Sequence, residues 1–437
     1  MPSVFPSGMD PSWVPLPLVL HNRFFAFPSA YSENYTFVFD GPVAVPTDVN
    51  LFYHIMGLAS KWGMVEYEQD WLITVFHYIR ALQNEVGVAD AWLDAMGTAA
   101  SNLGLTIQYC MALPRFLLKS TAVRAVTNAR ASCDYGPGNA NWRIGFSSTL
   151  IWALGLAPSK DTLWSTTEQP GCGYHQCREP NALLQVLVAT LSTGPVSPGD
   201  KMGLSNSTLL MSSCRAGDGL ILKPDRPATL MDAAYLAALA AAPPNSPTVA
   251  LPELTHTFSA HGPGRAYRWH YLLAANLSIS DLVLSVDALG PMASPSGGYL
   301  VFDYFRLAWG NGSLAQGVFF NATLPLQIPL GTAQPSPPPG ALPLRYLVVA
   351  PILRNGWVLL GEAGKFVSMA GARMGNFVET DSGFSVTVEG GRGGPEAVIM
   401  LVVPPPLTQS PHAYTCNTTQ ARPVMTLLCS GASCVCS

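Results

Sequence analysis

Arg130-Ala-Ser-Cys-Asp134 closes the run Ala122-Val-Arg-Ala-Val-Thr-Asn-Ala-Arg130, and the reading of this stretch decides the fold. A β-branched, alanine-rich segment that ends in a polar cluster fits a buried parallel strand whose carboxyl end opens onto a site, as in a β/α barrel. Side chains alternate along a strand, so Arg130, Ser132 and Asp134 share a face. Upstream, Met64-Val-Glu-Tyr-Glu-Gln-Asp-Trp71 repeats the design, with Glu66, Glu68 and Asp70 on one face and Val65, Tyr67 and Gln69 on the other. Two strands thus each end in an aspartate. Paired carboxylates are what glycosidic bond cleavage needs, one to protonate the leaving oxygen and one to attack or stabilise the sugar carbon. The competing reading is that Asp70 and Asp134 cap the helices that follow.

Composition narrows the class. The 437 residues are 49% apolar and only 11% charged, which excludes a disordered chain and is enough for two full cores. A net charge of −4 with no Lys/Arg run gives no support to nucleic acid as a partner. No uninterrupted apolar stretch reaches the ~18 residues of a membrane span.

Nine cysteines and six Asn-x-Ser/Thr sequons, at Asn34, Asn206, Asn276, Asn311, Asn321 and Asn417, point to an oxidising, glycosylating, extracellular or secretory compartment. The tail Cys429-Ser-Gly-Ala-Ser-Cys434-Val-Cys436, with Cys416 before it, reads as disulfides rather than a metal clip, because no histidine stands beside it. Cys172-Gly-Tyr-His-Gln-Cys177 reads as a local disulfide; a structural zinc through His175 would need four ligands. Met1–Leu20 lacks a basic leader, and prolines break its apolar run, so a secretory reading expects residues upstream of this chain.

Taken in order, the chain predicts a strand over 34–39, a helix over 47–61, the first carboxylate strand, helices over 71–86 and 89–103, a strand over 105–110 and a helix over 113–120. The Arg130 strand follows, then a helix over 146–154, a short strand over 161–165 and a helix over 180–191 leading into Thr193-Gly-Pro-Val196. Strands alternating with helices mean a parallel sheet. After Leu239 the composition changes: Ala240-Ala-Ala-Pro-Pro-Asn-Ser-Pro247 reads as a linker. Beyond it come short strands over 255–258, 267–277, 282–286, 299–304, 344–352, 357–366, 384–388 and 397–403, interrupted by the Pro-rich loop 334–343. Such a series predicts an antiparallel sandwich. His256, His261 and His270, separated on or between these strands, are expected at the surface. The expected organisation is α/β plus all-β: a barrel domain over 1–240, a C-terminal β-sandwich over 250–410 and a Cys-rich tail over 411–437.

Arg-x-Ser-x-Asp, the Tyr-Glu-Gln-Asp-Trp strand some sixty residues before it, and Thr193-Gly-Pro-Val-Ser-Pro-Gly-Asp200 after it resemble the α-galactosidase, raffinose synthase and seed-imbibition-protein group of glycoside hydrolases. Gln108-Tyr-Cys-Met111 and Thr121-Ala-Val-Arg-Ala-Val add to the likeness, which runs from about His21 to Asp232 and more weakly through Tyr346 to Gly361. The resemblance implies a (β/α)8 barrel followed by a β-sandwich, no cofactor, and an α-linked oligosaccharide or glycoside as substrate. It also implies a retaining mechanism with Asp70 as nucleophile and Asp134 as acid/base. Glu68, Trp71, Arg130, Trp142, Asp161, Trp164 and Asp200 become candidates for binding sugar. Glu68 stands where the group usually has a lysine that contacts sugar hydroxyls, and Cys133 where plant members often have an aspartate. Only about six of eight barrel strands are legible, so the barrel is expected to be open on its amino-terminal side. Arg130 is expected to pair with Glu66 or Glu68, leaving Asp70 ionised and Asp134, in the less polar company of Cys133 and Tyr135, protonated. A non-catalytic carbohydrate-binding relative is the alternative.

Overall fold

A computed structural model describes residues 17–241, 253–277, 282–290, 298–309, 317–328, 336–407 and 410–437. The expected linker lies almost wholly outside the described residues, as do sequon Asn311, the first two residues of the Pro-rich loop and most of the amino-terminal run. Two compact units divide the chain: residues 1–133 with 150–159, and residues 134–149 with 160–437. The stretch 160–241 therefore packs with the β-rich part of the chain.

The first unit holds a five-stranded parallel sheet. Its order is Leu18–Asn22, Met64–Gln69, Thr106–Tyr109, Val126–Arg130 and Ala157–Ser159, each strand beside the next in sequence. Such parallel neighbours need helical crossovers. Val49–Ser60, Val88–Asn102 and Pro114–Ser120 supply three of them. Tyr67, Ile107, Tyr109 and Ala129 pack into one apolar core with Phe52, Met56, Trp92, Met96 and Phe116. Asp48 caps the first of these helices, its carboxylate accepting from Asn50 N at 2.9 Å.

These strands correct the sequence reading in three places. The first parallel strand is Leu18–Asn22, whereas the predicted strand 34–39 falls on Phe37–Asp40, in a small antiparallel sheet with Phe25–Ala26 and Val43–Pro46. The Arg130 strand begins only at Val126, since the chain turns through Val123, which is buried. Val123 leans on Gly97 of the Val88–Asn102 helix so closely that a β-carbon there would collide with it. The predicted strand 161–165 is a single bridge, Leu163 to Pro198, and the sheet's fifth strand is Ala157–Ser159. The parallel sheet is thus described with five strands and two edges.

The second unit is antiparallel. A six-stranded sheet runs Val318–Asn321, Gly298–Asp303, Leu344–Pro351, Tyr267–Ala275, Glu253–His261, Thr229–Leu230. A three-stranded sheet joins Val358–Glu362, Glu396–Val403 and His412–Thr418, and a four-stranded one joins Met374–Thr380, Gly383–Glu389, Val424–Ser430 and Ser433–Cys436. The Cys-rich tail thus supplies strands to both smaller sheets. Cys416–Cys436 ties one sheet to the other, Cys429–Cys434 staples a cross-strand pair, and Cys172–Cys177 closes its loop.

Arg373 is fully buried among these sheets. Its guanidinium is forked by Glu362 at 2.7 and 3.3 Å and by Glu396 at 2.5 and 3.0 Å. Beside it two loops cross backbone to backbone. A β-carbon on Gly217 would stand 2.9 Å from Gly391 Cα, one on Gly391 2.5 Å from Gly217 Cα, and one on Gly393 would collide with the Gly217 carbonyl.

His256, His261 and His270 are buried, not at the surface. His256 and His270 bond to each other at 2.8 Å, and Arg226 reaches His256 Nδ1 at 3.2 Å. Burial lowers both pKa values, with repulsion from Arg226 and Arg268 adding to it; that of His256 falls to about 3.

Candidate active site

The carboxyl ends of the parallel strands carry a polar row. His21 stands opposite Glu68, Glu68 opposite Gln108, and Gln108 opposite Asn128. Gln108 Nε2 donates to Glu68 at 3.4 Å, while Asn128 Nδ2 and Thr106 Oγ1 donate to Glu66 at 2.6 and 3.2 Å. Of the two partners expected for Arg130, Glu66 or Glu68, Glu66 is held instead by an amide and a hydroxyl. Arg130 ends its strand opposite Ser159, and its charge acts on the thiol of Cys110.

Asp70 extends its strand by one residue, its N–H donating to Asn22 O at 2.8 Å, and Cys110 extends the next, donating to Gln69 O at 2.9 Å. The continued ladder brings the Cys110 thiol to the Asp70 carboxyl. Asp70 is only 8% exposed. Burial works against its charge, yet bonds from the Cys110 thiol, His21 and the Trp71 N–H outweigh it and hold the carboxyl below its usual range. Trp71 N donates to Oδ1 at 2.7 Å, and His21 Nε2 lies 2.9 Å from Oδ2. An ionised carboxylate only accepts, so the His21 proton sits on Nε2. The Cys110 thiol is in turn pushed up, by burial first and by Asp70 next.

Trp71 turns the chain at φ 59°, ψ 28°, a left-handed conformation that costs an L-residue roughly 1–2 kcal/mol. Its half-buried ring carries the Arg23 guanidinium 4.6 Å above it and meets Phe24 at 5.7 Å. Met111, one residue after Cys110, takes the same conformation at φ 53°. The two turns end adjacent strands alike.

Of the expected site residues, Glu68, Asp70, Trp71 and Arg130 thus gather on the first unit. The others belong to the second. Asp134 is exposed, whereas the sequence reading expected the less polar company of Cys133 and Tyr135 around it. Trp142 is buried. Trp164 is buried too, within ring distance of Tyr135 at 5.9 Å and Tyr174 at 5.7 Å. Asp161 accepts from Tyr135 N at 2.5 Å. Asp200 clamps a loop, accepting from Ser165 N at 2.8 Å, Ser165 Oγ at 2.6 Å and Gln169 Nε2 at 2.9 Å.

Sequence reasoning missed His21 and Cys110 as partners of Asp70; strand register is the signal that finds them. It also missed a buried group in the second unit. Glu179 accepts from Tyr135 OH at 3.0 Å, Gly138 N at 3.1 Å and Asn181 N at 2.9 Å. Lys160 Nζ lies 5.3 Å from the Tyr135 ring and donates to the carbonyls of Asp161 and Thr162 at 3.0 and 2.8 Å. Burial drags the Lys160 pKa down to about 7, against Asp161 and Glu179.

The sequence matches no protein-family model and no curated protein. Among solved structures, a glycoside hydrolase family 5 protein from Bacteroides vulgatus ATCC 8482 aligns with a TM-score of 0.23 and 8% identity, over 70% of this chain and 86% of that one. So loose a superposition carries no argument.

Proposed function

We propose that this protein is a glycoside hydrolase of the α-galactosidase type, a retaining enzyme acting on α-linked sugars. The observation that carries the reading is Asp70. A carboxylate at the carboxyl end of a parallel strand, nearly buried yet kept ionised by three donors, is in the state a glycosidase nucleophile needs. Glu68, Gln108 and Arg130 on the same strand ends offer acceptors and donors for sugar hydroxyls, and Trp71 an aromatic face. Attack by Asp70 on the anomeric carbon would form a glycosyl ester and expel the aglycone; water would then release the sugar. The resemblance gives the proton transfers to Asp134.

An α-linked aryl galactoside is the first substrate to assay. Asp70→Asn is expected to lower turnover by at least three orders of magnitude while leaving the thermal melt within a few degrees. Asp134→Asn should slow poor leaving groups far more than activated aryl ones, which need little protonation. Equal loss on both would remove Asp134 from the acid role. The exposure of Asp134 favours one second reading, a sugar-binding protein without turnover. Calorimetric binding of α-galactosides with no hydrolysis of any α-glycoside would establish that reading instead.

A further inference from the structure

A cavity of about 420 Å³ lies within the second unit, and Asn206 and Thr208, the first and third residues of one sequon, both line it. Thr166, Thr167 and Ser212 bring hydroxyls to its wall, and Leu183 an apolar surface. A lining that mixes hydroxyls with apolar side chains suits a sugar, which has a polar rim and apolar C–H faces. Asn206, Ser207 and Thr208 are all exposed. The Asn206 side chain caps the Ser207–Met211 helix, but through Oδ1, which accepts from Leu209 N at 3.0 Å. Glycosylation uses the other atom, Nδ2, so cap and modification do not compete. The backbone is fixed as well: Asn206 N donates to Ser165 Oγ at 2.8 Å, and that hydroxyl donates to Asp200 at 2.6 Å. The sequon is therefore held rigidly at the edge of the cavity.

We infer that Asn206 carries an N-linked glycan whose first sugars lie in this cavity. In the transfer, Nδ2 attacks the anomeric carbon of a lipid-pyrophosphate-linked oligosaccharide. The C–N bond forms, the bond from C1 to the pyrophosphate oxygen breaks, and the amide proton leaves as the lipid pyrophosphate departs. Among the described residues no other sequon asparagine lines this cavity, so Asn206 should differ from Asn417, which is exposed on the His412–Thr418 strand. The inference does not depend on the enzyme reading.

The test is to secrete the full chain from animal cells behind an added leader and follow each site by peptide mass spectrometry during digestion with a peptide-N-glycosidase. Asn206 should be occupied in most molecules, and its glycan should leave the native protein at least tenfold more slowly than the denatured one, while the Asn417 glycan leaves both at similar rates. Thr208→Ala should abolish the modification while keeping the Asn206 cap, and Thr208→Ser should restore it. A bare Asn206 overturns the inference, whether or not other sequons are occupied. An occupied Asn206 whose glycan leaves native and denatured protein equally fast overturns the seating in the cavity.

Discussion

The state of Asp70 is set by three donors, and each comes from a different part of the backbone: the neighbouring strand ends for His21 and Cys110, and the left-handed turn for the Trp71 N–H. Removing a donor that favours the charged form must raise the carboxyl pKa. Cys110→Ala is therefore expected to move the acid limb of a kcat/KM profile to higher pH, and Cys110→Ser, which still donates, to leave it nearly in place. An unmoved limb in the alanine variant would mean that the thiol does not tune Asp70. At this scale the sequence was partly legible. Alternation along Met64–Trp71 groups Glu66, Glu68 and Asp70, and the strand register sets Glu68 opposite His21, the partner of Asp70. Register between strands cannot be read from either strand alone, so the sequence leaves Arg130 a choice of Glu66 or Glu68 and does not show that Thr106 and Asn128 hold Glu66.

Among the elements, Arg373 holds the Glu362 and Glu396 strands together. Burial raises the pKa of Glu362 against the pull of Arg373. At Glu396 burial acts the same way, but Arg373 and the N–H groups of Gly391 and Ala216 prevail and lower it. Arg373→Met would strand two carboxylates with no cation between them, and urea unfolding should show a loss of about 3–5 kcal/mol. The histidine pair makes a different prediction. An unfolded histidine titrates near 6.5, whereas folded His256 stays neutral to about pH 3. Between those values the unfolded chain binds the extra proton, so stability falls as pH drops through that window, by about 1.4 kcal/mol per pH unit for each histidine. His256→Gln should remove one proton from that slope and leave the absence of slope above pH 7 unchanged. Both features explain where sequence reading stopped. Long apolar alternations such as Tyr267–Ala275 and Leu344–Pro351 announced their strands. Tail strands rich in Thr, Ser and Cys did not, since disulfides and pairing, rather than apolar burial, set them. Histidines on strands looked like surface residues because their buried partners are distant in sequence.

Across the whole chain, few charges and many cysteines mean that covalent links carry part of the stability. Cys416 and Cys436 are 20 residues apart, and closing such a loop is worth about 3 kcal/mol through the unfolded chain. Cys416→Ala with Cys436→Ala should lower unfolding free energy by that order. Cys172→Ala with Cys177→Ala, whose loop spans only 5 residues, should cost less. A larger loss from the short loop would contradict the chain-entropy argument. Among the described residues no helix is long and apolar enough to cross a membrane.

The crossing of Gly217 with Gly391 and Gly393 has a consequence for how this protein can vary. Where two backbones touch with no β-carbon between them, any side chain on one must push the other away, and the loops adjoin the buried Arg373 group through Ala216 N and Gly391 N on Glu396. In a saturation scan scored by abundance, these three glycines should tolerate no substitution, not even alanine, although Gly217 and Gly393 are not fully buried. A second-site search should find compensation only in deletions or reshaping of the opposite loop, because the clash is between backbones and no exchange of side chains can relieve it.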